Sequence, residues 1–147
     1  MYDTILVATD GSPSATAAAD RAIDFARTFD AGLHALYVID TMAYGADVRS
    51  DLMTEALGQQ GESAVEAVEL AAEETGVAVT TAVTRGSPAQ AIVDYVEDND
   101  IDLVVVGTRG RRGLERFLVG SVAERVVRTS PAPVVTVPPD GASTDDV

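Results

Sequence analysis

The chain has 147 residues, enough for one domain with a substantial core, and 46 % are hydrophobic, which excludes a disordered chain. No apolar run reaches the roughly 18–20 residues that cross a bilayer, and the absence of cysteine excludes disulfides, zinc knuckles and thiol nucleophiles. A net charge of −14 sets the chain against nucleic acid and anionic membranes.

Met1-Tyr2-Asp3-Thr4 places no basic residue ahead of the first apolar stretch, so no signal peptide is expected and the location read from the sequence is cytoplasmic. Thr4-Ile5-Leu6-Val7-Ala8-Thr9 reads as a strand. Asp10-Gly11-Ser12-Pro13 breaks it, with Ser12 as N-cap and Pro13 as the first residue of an alanine-rich helix running toward Phe29. Ala18, Ala22, Phe25, Ala26 and Phe29 give that helix its apolar spacing. Leu33 to Ile39 is a second strand. It contains His34, the one histidine, read as a half-buried structural residue. A polar loop with Asp40, Tyr44 and Gly45 precedes a long helix from about Asp51 to Thr75, in which Gly58 and Gly61 weaken the pattern and Gly76 is the stop.

Val77 to Val83 reads as the third strand. Ser87 and Gln90 fit a capping box for the helix that carries Ile92, Val93 and Val96. Leu103 to Val106 is the fourth strand. Val122 to Arg128 reads as the last helix, and Val134 to Val137 as the last strand, stopped by Pro138-Pro139. The expected domain is 1–139, with an acidic, frayed tail over 140–147. Alternation of strand and helix predicts a parallel sheet covered on both faces. Ligands of such sheets bind beyond the carboxyl ends of the strands, where strand order reverses. If the order is 3-2-1-4-5, the turns after the first and fourth strands face each other there.

The turn after the fourth strand carries the most specific pattern. Gly107-Thr108-Arg109-Gly110 is followed by nine residues and then Gly120-Ser121. Glycines let backbone approach a ligand, and a helix start offers unpaired N–H groups and the positive end of the macrodipole. The charge distribution points to the same place. From Leu103 to Ser130 there are six arginines against two glutamates, an excess of +4 that leaves −18 for the rest of the chain. All basic residues are arginine. Strong acidity without lysine suggests a salt-rich cytoplasm such as that of a halophilic archaeon. At about 1 M salt the Debye length is only about 3 Å, so phosphate must be held by direct contacts. The missing lysine excludes a Walker A loop, and Asp10-Gly11-Ser12 does not fit the dinucleotide fingerprint expected after a first strand.

The spacing Gly-x2-Gly-x9-Gly-Ser resembles the ATP-binding branch of the universal stress protein family. So do the opening Ile5-Leu6-Val7-Ala8-Thr9-Asp10-Gly11-Ser12, the segment Leu103 to Gly110, Gly120-Ser121-Val122-Ala123, and the ending Pro133 to Val137. The resemblance implies a single-domain three-layer α/β/α sandwich. Its five-stranded parallel sheet would have the order 3-2-1-4-5, Rossmann-like and similar to the adenine nucleotide alpha hydrolases. It implies that Ala8, Thr9 and Asp10 meet adenine and ribose, and that Val38 packs on the base. Val106 and Gly107 would wall the ribose, Arg109 and Gly110 would turn at the phosphates, and Gly120, Ser121 and Val122 would receive the outer phosphates. It further implies ATP as ligand, with any Mg²⁺ arriving through the phosphates, and a homodimer through Val134-Val137.

Simpler roles stay open for the same residues. Ser121 with Glu124 also fits a capping box, Gly107 and Gly110 fit turn geometry, Val38 and Val106 fit an ordinary core, and Asp10 fits a helix-start cap. Arg111 and Arg112 fit phosphate or solvent equally. Three functions follow: a nucleotide-dependent sensor of the stress response, a slow ATPase or phosphotransferase, and a scaffold without ligand. The motif contains neither histidine nor lysine, and Asp10 is the one obvious carboxylate near the crevice, so binding is favoured over catalysis.

Overall fold

A computed structural model describes residues 2–41, 51–108 and 120–139. The elements run β1 (Thr4–Ala8), α1 (Pro13–Phe29), β2 (Gly32–Asp40), α2 (Asp51–Glu73), β3 (Val79–Gly86), α3 (Pro88–Asp98), β4 (Leu103–Gly107), α4 (Ser121–Thr129) and β5 (Val134–Val137). The strands form one sheet in the order β3-β2-β1-β4-β5, every neighbouring pair parallel, as expected.

Period-two alternation splits the strands between two cores. Ile5, Val7, Leu33, Ala35, Tyr37, Ile39, Leu103 and Val105 face α1 and α2. Leu6, Leu36, Val104 and Val106 face α3 and α4, where they meet Ile92, Val96, Ala123 and Val126. Ile5, Leu6, Val7, Val104 and Val105 are fully buried, which explains why the central strands read as unbroken apolar runs. Both outer strands are edges, β3 on one side and β5 on the other.

The start of α1 follows the sequence reading. Ser12 Oγ accepts the Ala15 N–H at 3.2 Å, and Pro13 is the first helical residue. The helix closes on Asp30 in the left-handed region (φ 55°), a position aspartate tolerates better than most residues. Two expectations are corrected. Ser87 makes no side-chain cap on α3, and the Gln90 side chain donates to Asp94 one turn on, at 2.9 Å. And β3 starts at Val79, two residues later than expected. Val77 is held in the turn that closes α2, its N–H donating to Ala72 at 3.0 Å behind Gly76 at φ +79°. The strand then runs on to Gly86 because β2 extends to Asp40 as its partner.

The two glycines of α2 have opposite surroundings. At Gly61 a Cβ would lie 2.8 Å from Tyr37 Cδ1 and 3.0 Å from Val83 Cγ1, so the bare backbone is what lets the helix sit on the sheet. At Gly58 a Cβ would meet nothing within 4 Å. Gly58→Ala is expected to stabilise the fold by about 0.5–1 kcal/mol through helix propensity. Gly61→Ala is expected to destabilise it by about 1 kcal/mol, overpacking of about 1–3 kcal/mol outweighing the same propensity gain. Urea midpoints at constant slope check both signs.

Candidate nucleotide site

The carboxyl ends of β1 and β4 lie side by side, as Ile5, Leu6 and Val7 pair with Leu103, Val104 and Val105. Ala8 and Val106 continue these two strands. Val38 extends beyond Leu36, the partner of Ala8. Ala8, Val38 and Val106 all pack on the α3/α4 core, so three of the expected site residues share one face of the sheet. Val106 is buried, whereas Ala8 and Val38 are only half-buried at the strand ends.

The turn after β1 is fixed by its own side chains. Thr9 is buried, its N–H donates to Leu36 at 2.9 Å, and its Oγ1 accepts the Gly11 N–H at 3.2 Å. Asp10 Oδ1 accepts the Ser12 N–H at 2.9 Å, an Asx-turn that feeds the chain into α1. Gly11 supplies the required positive φ of +80°. Asp10 therefore does serve the helix start.

On the β4 side Gly107 has a packing reason to be glycine. A Cβ there would lie 2.5 Å from Ser14 Oγ and 2.8 Å from the Ser14 carbonyl carbon. Beyond it, the Thr108 N–H donates to Val137 at 2.9 Å and the Thr108 carbonyl accepts the Gly120 N–H. That last bond brings the two ends of the glycine motif together. Arg109 and Gly110, with Arg111, Arg112 and Arg116, lie outside the described residues.

The second half of the motif corrects another expectation. Gly120, not Ser121, is the N-cap of α4, and no side chain caps this helix. Glu124 does not reach back to form a capping box. It pairs with Arg128 at 2.8 Å on the exposed face. The first turn of α4 thus presents its N–H groups at Ser121 and Val122, both exposed, beside the Thr108 turn. Arg128 sits in the last turn, about 10 Å along the helix from Ser121. Of the arginine island, Arg125 and Arg128 are among the described residues, and the Arg128 guanidinium is engaged by Glu124, one turn nearer the helix start.

Two features went unseen in the sequence. A cleft of about 520 Å³ opens beside Asp10 and Gly11 on the α2 side, lined also by Tyr37, Gln59 and Ser63. A second, of about 370 Å³, lies between α2 and the ends of β2 and β3, with Gly58, Glu62 and Arg85 among its walls. Glycine at 58 and short side chains at 56, 63 and 64 were the available signal. Among the described residues no group of histidine, cysteine and carboxylates is arranged to hold a metal ion.

His34 is remote from this end of the sheet, near the start of β2. Its Nδ1 lies 2.7 Å from the Tyr95 hydroxyl, and the rings meet edge-on at 5.6 Å. Burial lowers the histidine pKa below its ordinary 6.5 and raises that of Tyr95. A lowered folded-state pKa means that the unfolded chain takes up the proton first. The contribution is present above pH 6.5 and is lost as pH falls through that value toward the folded-state pKa. Unfolding free energy is therefore expected to fall more steeply between pH 7 and 5 in the wild type than in His34→Gln. Parallel curves would remove this coupling.

Residues 1–138 match the universal stress protein family. Universal stress protein MJ0531 of Methanocaldococcus jannaschii is 41 % identical over 140 residues, 93 % of this chain and 82 % of that protein. The solved structure of the hypothetical protein MJ0577 superposes with a TM-score of 0.87 at 28 % identity, over 96 % of this chain and 99 % of the other. A universal stress protein solved in complex with cAMP follows with a TM-score of 0.74 at 27 % identity, over 92 % and 97 % of the two chains. The glycine spacing, the 3-2-1-4-5 sheet and these likenesses converge, and the chain belongs to the universal stress protein family.

Proposed function

We propose that this chain binds an adenine nucleotide, ATP, across the carboxyl ends of β1 and β4 and acts as a nucleotide-dependent regulator in the stress response. The observation that carries the reading is the start of α4. A helix without a side-chain cap presents its first N–H groups beside a glycine turn, at the point where strand order reverses. The cAMP complex of a family member supports adenine nucleotides as the ligand class.

In this reading Ala8, Thr9 and Asp10 meet adenine and ribose, Val38 packs on the base, and Val106 and Gly107 flank the ribose. Gly120, Ser121 and Val122 take the outer phosphates, joined by Arg109 and Gly110 of the same sequence pattern. Mg²⁺ would be carried by the phosphates. Asp10 already supports the Ser12 amide, which favours binding over hydrolysis. The edge strand β5 is the surface through which two copies would pair, isologously. Mass spectrometry of small molecules released from purified, denatured protein tests the reading. An adenine nucleotide near one per chain is the expected result, and its absence, with no uptake of added ATP, overturns it.

A further inference from the structure

One carbonyl joins the proposed cradle to the far edge of the sheet. Val137 is the last residue of β5 and pairs in register with Gly107. Its oxygen accepts two hydrogen bonds, from the Thr108 N–H at 2.9 Å and from Ser14 Oγ at 3.0 Å. A carbonyl oxygen has two lone pairs, so both donors are held at once. Pro138 and Pro139 follow, and Pro139, the next position that would face β4, has no N–H to donate, so the ladder ends here. Ser14 is 2 % exposed, sits in the first turn of α1 and packs against Gly107. The Thr108 carbonyl in turn accepts the N–H of Gly120, the cap of α4. An unbroken path therefore runs from the cap of α4 through Thr108 to the end of β5, and Ser14 pins its last link to α1.

We propose that this path couples occupancy of the nucleotide site to the edge strand β5, with Ser14 as the positioning residue that fixes the shared carbonyl. The proposal rests on the nucleotide reading above and adds how that site is regulated. An anion on the first amides of α4 restrains the Gly120 turn, hence the Thr108 peptide, hence the end of β5. By reciprocity, pairing of β5 with a second copy tightens nucleotide binding by the same factor. Ser14 makes the link stiff, because its hydroxyl fixes where the Val137 oxygen stands, and without it the bond from Thr108 holds alone and opens more readily. The cap of α4 and the edge of the sheet then relax independently.

Amide hydrogen exchange on the full chain tests this with ATP as probe. In the wild type, ATP is expected to slow exchange at Thr108 and at Val135 and Val137, the β5 amides that face β4, by about tenfold. In Ser14→Ala without ligand, exchange at the same amides should rise by about tenfold while Leu33 to Ile39 in β2 keep their rates. ATP affinity at protein concentrations that keep the chain monomeric should be unchanged. ATP should then slow β5 by less than about twofold. Ser14→Cys, slightly larger and a weaker donor, should fall between the two and serves if the alanine variant does not fold. A rise spread evenly over the sheet, or an equal effect of ATP on β5 with and without the hydroxyl, overturns the coupling alone. Failure of the wild type to take up ATP by calorimetry overturns the nucleotide reading and the coupling with it.

Discussion

Gly107→Ala is expected to destabilise the protein by about 3 kcal/mol, at the upper end of what overpacking costs. The added Cβ would stand 2.5 Å from Ser14 Oγ, 2.8 Å from the Ser14 carbonyl carbon and 2.9 Å from its carbonyl oxygen. A side-chain oxygen can rotate away, but two of these atoms are backbone in the first turn of α1. That turn is held by Ser12 from one side and by the Asp10 carboxylate through Ser12 from the other. Relief requires α1 to back away from β4, which opens the core around Val105 and Ala18. Adding Ser14→Gly should recover only the part due to the hydroxyl, since the backbone contacts persist. Unfolding in urea, with the slope unchanged, measures both variants. A loss below about 0.5 kcal/mol for Gly107→Ala would show that α1 yields and that the glycine is there for the ligand alone.

Ser121→Glu is expected to separate folding from binding. A carboxylate in the first turn of α4 interacts favourably with the macrodipole, by about 0.3–1 kcal/mol, and no existing side-chain cap is displaced. Stability should therefore hold or rise. The same charge stands where the outer phosphates are proposed to dock, so ATP affinity should fall at least about tenfold, or ~1.4 kcal/mol. The loss should be smaller for AMP, whose one phosphate reaches less far along the turn. Matched calorimetry and urea unfolding at one salt concentration supply both numbers. Unchanged ATP affinity would move the phosphates away from α4.

Much of the fold was legible because the relevant signals are local or periodic. Ser12-Pro13 set the start of α1, and the apolar runs at 4–8 and 103–106 marked the central strands. What failed did so where a side chain had two partners to choose from. Gln90 and Glu124 each had a capping role available one turn back, and each took a partner four residues on, Asp94 and Arg128. Val77 looks like strand but is drawn into the turn behind Gly76, and the sheet is joined only from Ala78, whose carbonyl accepts the Leu33 N–H. The reason for Gly107 was unreadable for a different cause. Its neighbour Ser14 is far away in sequence, and the Ser14–Val137 bond spans 123 residues. Gly61 is the same case, its requirement set by Tyr37 on another element. Of the residues expected at the site, Ala8, Val38 and Val106 stand on their strands and Gly120 at the start of α4, β1 ends one residue short of the Thr9 expected in it, and Arg109 and Gly110 lie outside the described residues.

The nucleotide reading is tested most directly by titrating ATP into ligand-free protein in the calorimeter, at the salt concentration that gives a cooperative unfolding transition. Saturable binding of one ATP per chain is the expected result, weakened at least about tenfold by Ser121→Glu without loss of stability. No heat with ATP, AMP or cAMP from a folded wild-type protein, and no nucleotide released on denaturing the protein as purified, would contradict it.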